Sequence, residues 1–315
     1  QMCIRDSHRA GRSGGRAART AARAAPLSSE LRPVKPGMEG GTYRPLSQID
    51  MDRINEAALS ALEEIGLADA PQSGIDIMVA AGAIYGDDGR LRYPRVLVED
   101  MLVKANREIT LFGRNSKHDM TLNGKKVHYG TAGAAVHMVD VKNRSYRDST
   151  VLDLHNAARI VQHLDNIHFV QRPMVCRDIL DNREMDLNTI YACTTGTEKH
   201  IGTSFTEPSF VDDAFEMLHM IAGGEASWRE RPFISNSNCF VVPPMKFATE
   251  SCQVMEKCIQ GGMPILLLSA GQAGATAPAP IAGAIVQAVA ECLAGIVYVN
   301  AVSYTHLRAH ETIPD

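Results

Sequence analysis

The residues that could do chemistry are polar side chains at the ends of short apolar segments. Gln171 and Arg172 follow one such segment, and a guanidinium beside an amide could clamp a carboxylate. Asn236 and Asn238 are one residue apart, so in an extended chain their side chains share a face. Rings and carboxylates that could hold a cation, and further polar groups at such ends, are Tyr129, Phe205, Glu207, Phe240, Ser269, Gln272 and Asn300.

Each of these residues also has a structural interpretation. Arg172 could pair with Asp178 or Asp181. Glu207 precedes Pro208 at a predicted helix start, where the helix dipole favours a carboxylate. The two asparagines could satisfy each other and the neighbouring backbone. The residue types alone therefore leave the choice between ligand binding and structure open.

Several common kinds of site have no motif in this sequence. The glycine-rich residues 271–280 contain no Lys, which a P-loop requires, and no G-x-G-x-x-G pattern occurs. The H-E-x-x-H zinc motif and the G-x-S-x-G nucleophile motif are also missing. Cys239 could be a thiolate ligand or a nucleophile, although a small buried residue is the commoner role of Cys. We expect no metal, and a site that binds or transfers a group rather than hydrolysing a bond.

The bulk composition is that of a globular chain long enough to bury a large core. The chain has 315 residues, 45% of them hydrophobic, and a net charge of −4, which gives no basic face for nucleic acid. The longest apolar run, residues 281–299, is interrupted by Gly283, Glu291 and Gly295, which argues against a membrane span. Seven cysteines without C-x-x-C spacing indicate reduced thiols and a cytoplasmic protein.

The two ends of the chain differ from the rest. Residues 1–34 are rich in Arg and have no apolar stripe, which predicts a disordered basic arm. Residues 1–7 and 302–315 resemble translated sequencing adapter, so we expect them to be non-native. His306 and His310 are therefore excluded from the site.

Residues 35–124 predict an N-terminal α+β region. Ser47 and Asp50 form a capping-box pattern in front of a helical repeat of apolar residues, and a second helix is expected from Pro94. The Asn-Gly pair at 123–124 predicts a hairpin turn. This region would lead into a larger structure that begins at about residue 125.

The remainder of the chain alternates between short apolar strands and helices. Strand centres at Phe169, Gly202, Ser235, Leu267 and Val297 are 33, 33, 32 and 30 residues apart, the length of one strand, one helix and two loops. An open doubly wound sheet and a closed barrel both fit this repeat. Because the dinucleotide motif is missing, we predict an α/β fold with a TIM-type (β/α)8 barrel over residues 125–301. A complete barrel needs about 250 residues, so two or three closing units would be missing, and the barrel would be C-terminally truncated.

Five longer stretches, among them YGTAGAAVHMVD from Tyr129, SNSNCFVVPPMKF from Ser235 and LLLSAGQAGATAPAP from Leu266, are similar to the trimethylamine methyltransferase family. The resemblance covers residues 38–301. Members have a TIM-barrel-like core and transfer a methyl group from an amine to the cobalt of a separate corrinoid protein. The resemblance implies a corrinoid (cobalamin) carried by a partner protein and no metal of the chain's own. It also implies that the loop after Leu268 faces the corrinoid or the amine, and Ser269, Gln272 and Gly274 are the corrinoid-facing candidates in it.

One branch of this family carries pyrrolysine and captures tertiary amines, and the other lacks it and resembles glycine betaine methyltransferases. No pyrrolysine stands in this sequence, and the resemblance implies that the region which would carry it lies beyond Asn300. Residues 32–46 and 235–244 are closer to the second branch. Trimethylamine and glycine betaine both stay open as substrates, and the catalytic residues are unknown. From their position at the predicted strand ends, the substrate-binding candidates are Tyr129, Gln171, Arg172, Phe205, Glu207, Asn236, Asn238 and Phe240.

Two other functions are compatible with such a barrel. A non-catalytic barrel could bind amines as a sensor or salvage component, and an aldolase or decarboxylase could use the same scaffold. The second class usually needs a Lys at the end of a strand, whereas Lys199 precedes its strand. We expect a cytoplasmic homo-oligomer that meets a small amine and a corrinoid protein, and neither nucleic acid nor membrane.

Overall fold

The computed structural model describes residues 15–25 and 34–311, without the side chains of residues 19, 22–24 and 304–311. It divides the chain into two units, Gln1–Lys35 and Pro36–Asp315. The first unit contains one described helix, α1, at Arg16–Ala24. This helix stands where the sequence predicted a disordered arm, because all but one of its nine residues are Ala or Arg, which are strong helix formers. The non-native segment predicted at residues 1–7 lies outside the described residues.

The helices of the second unit follow the predicted starts closely. The Ser47 hydroxyl accepts the Asp50 N–H while the Asp50 carboxylate accepts the Ser47 N–H, which confirms the capping box. The helices are α2 Gln48–Ser60, α3 Gln72–Ala81, α4 Arg95–Lys104, α5 Val151–Gln162, α6 Asn182–Gly196, α7 Pro208–Ala222, α8 Glu225–Glu230, α9 Thr249–Gln260 and α10 Ile281–Glu311, with a π-helical turn at Ala61–Ile65 and a 3-10 turn at Ser116–His118.

Fifteen short strands are described in five sheets. They are β1 Met38–Glu39, β2 Leu67–Ala68, β3 Ile84–Tyr85, β4 Arg90–Arg92, β5 Ile109–Leu111, β6 Met120–Leu122, β7 Lys126–Val127, β8 His137–Asp140, β9 Ser145–Asp148, β10 Phe169–Gln171, β11 His200–Thr203, β12 Ile234–Asn238, β13 Val241–Val242, β14 Lys246–Phe247 and β15 Ile265–Leu267. The Asn-Gly turn forms between β6 and β7, but these strands do not pair with each other. Instead β6 pairs with β5 and β7 pairs with β1.

A parallel sheet of four strands carries the predicted βα repeat. Its order is β10-β11-β12-β15, and the connections run through α6, through α7 and α8, and through α9. Gly130 makes a parallel bridge to Phe169, so the chain before α5 lies along the free side of β10. The first four predicted strands are thereby found, and the described residues form a succession of βα units with an open four-stranded sheet rather than a closed barrel.

The fifth predicted strand, centred on Val297, is wrong. Val297 and Asn300 lie in α10. A short run of β-branched residues does not distinguish a strand from a buried helix. The buried positions settle the period, because they recur every three or four residues at Ala290, Ala294, Val297 and Ala301.

Helix α10 packs against segments from both the N-terminal and the C-terminal part of the second unit. Over Ile281–Ser303 it is long and apolar enough to cross a membrane by length and composition alone, as a core helix also can be. It packs against α2, α3, α4 and α9. One core cluster contains side chains from both Ala58–Met101 and Phe240–Val302, and β14 pairs with β2. Residues on both sides of the boundary predicted at 124 therefore share one core and one sheet.

Candidate functional site

The register of the parallel sheet decides which side chains face away from the helices, on the side that we call the inner face. Val170, Ile201 and Ile234 lie side by side and are packed in a cluster with side chains of α5, α6, α7 and α9, so this row faces the helices. Successive side chains of a strand point to opposite faces. The inner face of the sheet is therefore formed by the alternate row, namely Phe169, Gln171, His200, Gly202, Ser235, Ser237 and Leu266.

A hydrogen bond between Gln171 and Ser237 lies at the centre of this inner face. The Ser237 hydroxyl donates to Gln171 Oε1 at 2.9 Å, and the two residues belong to strands separated by β11. Gly202 of β11 lies beneath them, and a Cβ atom there would be 2.0 Å from Gln171 Oε1. The absence of a side chain at position 202 is what allows the Gln171 amide to reach Ser237.

A second hydrogen-bonded group lies deeper on the same face. His200 Nδ1 is 2.8 Å from the carbonyl oxygen of Phe112, so it must donate, and Nε2 accepts from the Ser235 hydroxyl at 2.9 Å. Burial lowers the pKa of His200 to about 4, which keeps the ring neutral at pH 7. Beside His200, the half-buried ring of Phe169 lies against Gly130. This part of the inner face is therefore uncharged.

Asn236 and Asn238 face the helices, which contradicts the prediction that they point into the barrel. Asn238 Nδ2 donates to the carbonyl of Ser251 in α9 at 3.0 Å. Asn236 is fully buried and lies beside Thr203 in the row of Ile234. The predicted alternation was right, but its phase was inverted, because Ile234 belongs to the helix-packed core. Both polar atoms of Asn236, and Asn238 Oδ1, have no hydrogen-bond partner among the described residues.

Arg172 is half-buried beside the buried Asp186 of α6. Its predicted partners are occupied, since Asp178 accepts the Val151 N–H and Asp181 caps α6. Burial raises the pKa of Asp186, two hydrogen bonds from Thr206 oppose this, and the Arg172 charge also lowers it. Asp186 Oδ1 has no partner within the described chain. Neither predicted ion pair of Arg172 is found.

The predicted aromatic candidates are scattered. Phe240 is fully buried against Phe247 and Tyr298, so it is a core residue and not part of a cation site. Tyr129 donates its N–H to His168 Nδ1 at 2.9 Å. It lies one residue before the bridge of Gly130 to Phe169, at the opposite end of the sheet from Arg172.

The two remaining substrate-binding candidates follow β11. Phe205 is half-buried against the helix-side core. Glu207 is exposed at the N-terminus of α7, and its side chain makes no capping hydrogen bond there. Its charge raises the pKa of Asp186, as the smallest of the contributions to that carboxyl group.

The glycine-rich loop after β15 leaves the same end of the sheet as Gln171. We call residues 269–277 the rim loop. Ser269 is turned towards α10, where its hydroxyl donates to Glu291 Oε2 at 2.5 Å. The Gln272 side chain and Gly274 are exposed, and Gly274 has φ +81°. Two of the three predicted corrinoid-facing residues are therefore at the surface, and the third is a structural contact.

The two remaining chemistries are those of an aldolase lysine and of a metal site. Lys199 is buried, and its ammonium donates to the carbonyls of Val161, Leu164 and Ile167. It therefore holds the end of α5 rather than serving as the Lys of an aldolase. Within residues 15–25 and 34–311, no group of three or more His, Cys, Asp or Glu side chains could hold a metal ion.

The sequence analysis missed the small residues of the inner face. Ser235, Ser237 and Gly202 alternate with Ile201, Ile234 and the asparagines. The apolar members of this alternation mark the helix-facing row, so their small neighbours face inwards. The alternation is visible in the sequences HIGT (residues 200–203) and ISNSN (residues 234–238). The prediction assigned the asparagines, rather than the small residues, to the inner face.

Comparisons with known proteins show what this chain is similar to. The family model for trimethylamine methyltransferase (MTTB) matches residues 12–305. Trimethylamine methyltransferase MttB of Desulfitobacterium hafniense is 29% identical over 267 residues, which are 82% of this chain and 52% of that protein. MttB1 of Methanosarcina mazei is 27% identical, over 78% of this chain and 51% of the relative. The glycine betaine methyltransferase of Desulfitobacterium hafniense is 24% identical, over 81% and 52%. The chain spans about half the length of the curated relatives it matches.

Proposed function

Because the chain belongs to the trimethylamine methyltransferase family, we propose that the whole protein moves a methyl group from a tertiary or quaternary amine to the Co(I) of a corrinoid held by a separate protein. The names of the relatives include both trimethylamine and glycine betaine methyltransferases, which supports an amine as methyl donor. We further propose that the protein is a cytoplasmic homo-oligomer. The corrinoid, when its carrier is bound, supplies the nucleophile that accepts the methyl group.

The observation that carries this proposal is the uncharged inner face around Gln171 and Ser237. A quaternary ammonium already carries its methyl group on a neutral leaving group, and a tertiary amine does so once it is protonated. Transfer from such a cation needs alignment and exclusion of water rather than a base. Among the described residues of the inner face, the polar groups are an amide, hydroxyls and the neutral imidazole of His200, and Phe169 and Leu266 add apolar surface. Such a surface can hold methyl groups while orienting a cation by dipoles.

Gln171 is the residue that we assign to the substrate. Its Oε1 is engaged by Ser237, and its Nε2 has no protein partner among the described residues, so these two N–H groups are free for the carboxylate of a betaine. The Phe169 ring, on the same strand and face, could contact the cationic methyl groups through its π face. Arg172 and Glu207 remain charged candidates at the same end of the sheet, and Gln272 and Gly274 remain candidates for contact with the corrinoid protein.

The test combines full-length protein, reduced corrinoid protein and single amines, with the cobalt absorbance as readout. We expect loss of the Co(I) spectrum with trimethylamine or with glycine betaine, and no loss with monomethylated controls. If no tertiary or quaternary amine changes the spectrum, the methyltransferase proposal fails. Calorimetric binding of an amine without spectral change would then favour the non-catalytic amine-binding barrel.

A further inference from the structure

Glu291 is a fully buried carboxylate in the middle of α10. Its Oε1 accepts the Met245 N–H at 2.9 Å and the Gln287 amide at 3.1 Å, and its Oε2 accepts the Ser269 hydroxyl at 2.5 Å. All three donors are uncharged. Three hydrogen bonds therefore satisfy a charge that has no ion pair among the described residues.

These donors connect α10 to two separate turns at the end of the parallel sheet. Met245 lies in the turn between β13 and β14, and Ser269 begins the rim loop. Gln287 also donates to the carbonyl of Thr276 at 3.0 Å, near the other end of the rim loop. Hydrogen bonds to Glu291 and Gln287 therefore connect both ends of the rim loop to α10.

The rim loop is also closed on itself, although it is exposed. The Gln272 carbonyl accepts the N–H groups of Ala275, Thr276 and Ala277, and the Gln272 N–H donates to the Thr276 hydroxyl. Gly274 N–H donates to the Ala277 carbonyl. A surface segment of Gly, Ala and Thr would otherwise be mobile, so the fastening at its ends decides whether this arrangement persists.

Helix packing alone does not require a carboxylate at this position. The buried neighbours along α10, Ala290 and Ala294, are small and apolar, and burial of a charge costs free energy that an apolar residue would not incur. We propose that Glu291 is a positioning residue that holds the rim loop in the conformation that receives the corrinoid partner. The inference rests on the proposed function, because that function assigns the loop to this partner.

The first measurement is hydrogen exchange of the rim-loop amides in the full-length protein. We expect Glu291→Leu to accelerate exchange at Ala275, Thr276 and Ala277 about tenfold, the effect of losing roughly one to two hydrogen bonds. Glu291→Gln should keep slow exchange, because its amide oxygen can accept from Met245 and Gln287 while its N–H₂ donates to the Ser269 hydroxyl.

Glu256→Leu is the matched control. Glu256 is also a buried carboxylate, and it accepts hydrogen bonds from Ser73 and Tyr298, away from the rim loop. It should lower stability as Glu291→Leu does and leave the exchange of residues 275–277 unchanged. Equal acceleration in both variants would mean that general destabilisation opens the loop, and the proposal would be overturned.

The second measurement is steady-state methyl transfer with varied corrinoid protein. Glu291→Leu should raise the KM for the corrinoid protein about tenfold, with kcat and the KM for the amine within a factor of two, and Glu291→Gln should restore the KM. Faster exchange without a change in this KM would overturn the proposal. If wild-type protein transfers no methyl group from any amine, the proposed function itself has failed, and the exchange result still reports whether Glu291 holds the loop.

Discussion

At the scale of single residues, Gly202 controls the geometry of the inner face. A Cβ atom at this position would lie 2.0 Å from Gln171 Oε1 and 2.9 Å from its Cδ. Gly202→Ala should therefore displace the amide from Ser237 and raise the KM for the amine about fivefold to tenfold, since one hydrogen bond contributes about 1 kcal/mol. Steady-state kinetics with the amine as the varied substrate provides the measurement.

A double-mutant cycle separates this collision from a general loss of stability. Because the clash is with the end of the Gln171 side chain, Gly202→Ala should cost roughly 1–3 kcal/mol of unfolding free energy in the wild type and clearly less when Gln171 is replaced by Ala. Urea unfolding of the four proteins gives the coupling. Equal costs in both backgrounds would show that another contact of Gly202 dominates.

The buried His200 should make the free energy of unfolding depend on pH. Burial lowers its pKa from 6.5 to about 4 in the folded protein, so the unfolded chain binds more protons between these two values. Stability should fall as the pH decreases from about 6.5 towards 4, by up to about 3 kcal/mol. The pKa of His168 is also lowered, chiefly by burial, and this acts in the same direction.

Urea unfolding at pH 7.5, 6 and 5 measures this dependence. The His200→Asn variant retains a neutral hydrogen-bonding side chain without a group that titrates in this range. It should therefore show a flatter pH dependence than the wild type. An unchanged slope in the variant would assign the acid sensitivity to other groups.

At the scale of elements, the sequence predicted which segments form strands better than it predicted their faces. The spacing of Phe169, Gly202, Ser235 and Leu267 reflects the length of one βα unit, a local property of the chain. The face of Asn236 depends on which row of side chains meets the helices, and this is a property of packing. A two-residue period fixes two faces but does not by itself say which one is inside; only the apolar residues Ile201 and Ile234 indicate the row that meets the helices.

The buried Asn236 gives a test of this assignment. Both of its polar side-chain atoms are buried without a partner among the described residues, and such a group costs about 1–3 kcal/mol. Asn236→Leu should therefore leave stability unchanged or raise it by about 1 kcal/mol, with methyl transfer retained. Asn236→Asp should destabilise, because it places a charge in the same layer.

Thermal and urea unfolding of both variants, together with the cobalt assay, provide the comparison. A large loss of methyl transfer in Asn236→Leu with unchanged stability would place this asparagine in the substrate site after all. It would also restore the orientation that the sequence analysis assigned to it.

Helix α10 shows why the fifth strand was mispredicted. Residues 295–299 read Gly-Ile-Val-Tyr-Val, which locally favours a strand. Tertiary contacts override this preference, since a Cβ atom at Gly295 would be 2.6 Å from the Phe240 ring, and Tyr298 packs against the same ring. The helix can approach Phe240 because position 295 lacks a side chain, and no neighbouring sequence letter reveals that contact.

At the scale of the whole molecule, the family resemblance indicated the type of reaction, which the local sequence patterns did not. Motif absence excluded phosphate and dinucleotide sites but named no reaction, whereas the collinear stretches around Tyr129, Ser235 and Leu266 indicated amine methyl transfer, and the family match over residues 12–305 agrees. The number of strands around the sheet could not follow from this. Residues 67–92 and 241–247 share one sheet through the pairing of β14 with β2, a contact between segments more than 150 residues apart.

The open side of the sheet predicts how this 315-residue chain behaves when it is produced by itself. Strand β15 ends the sheet within the described residues, and Leu266 and Leu268 are 45% and 43% exposed. An unpaired strand edge beside exposed leucines favours edge-to-edge pairing between chains.

We expect concentration-dependent association in light scattering. Leu266→Lys together with Leu268→Lys should reduce it, because charges at an edge oppose pairing. Val103→Lys, at an even more exposed apolar position on α4, should not reduce it. A monodisperse monomer with a cooperative thermal transition would contradict this prediction and would mean that the edge is protected within the chain.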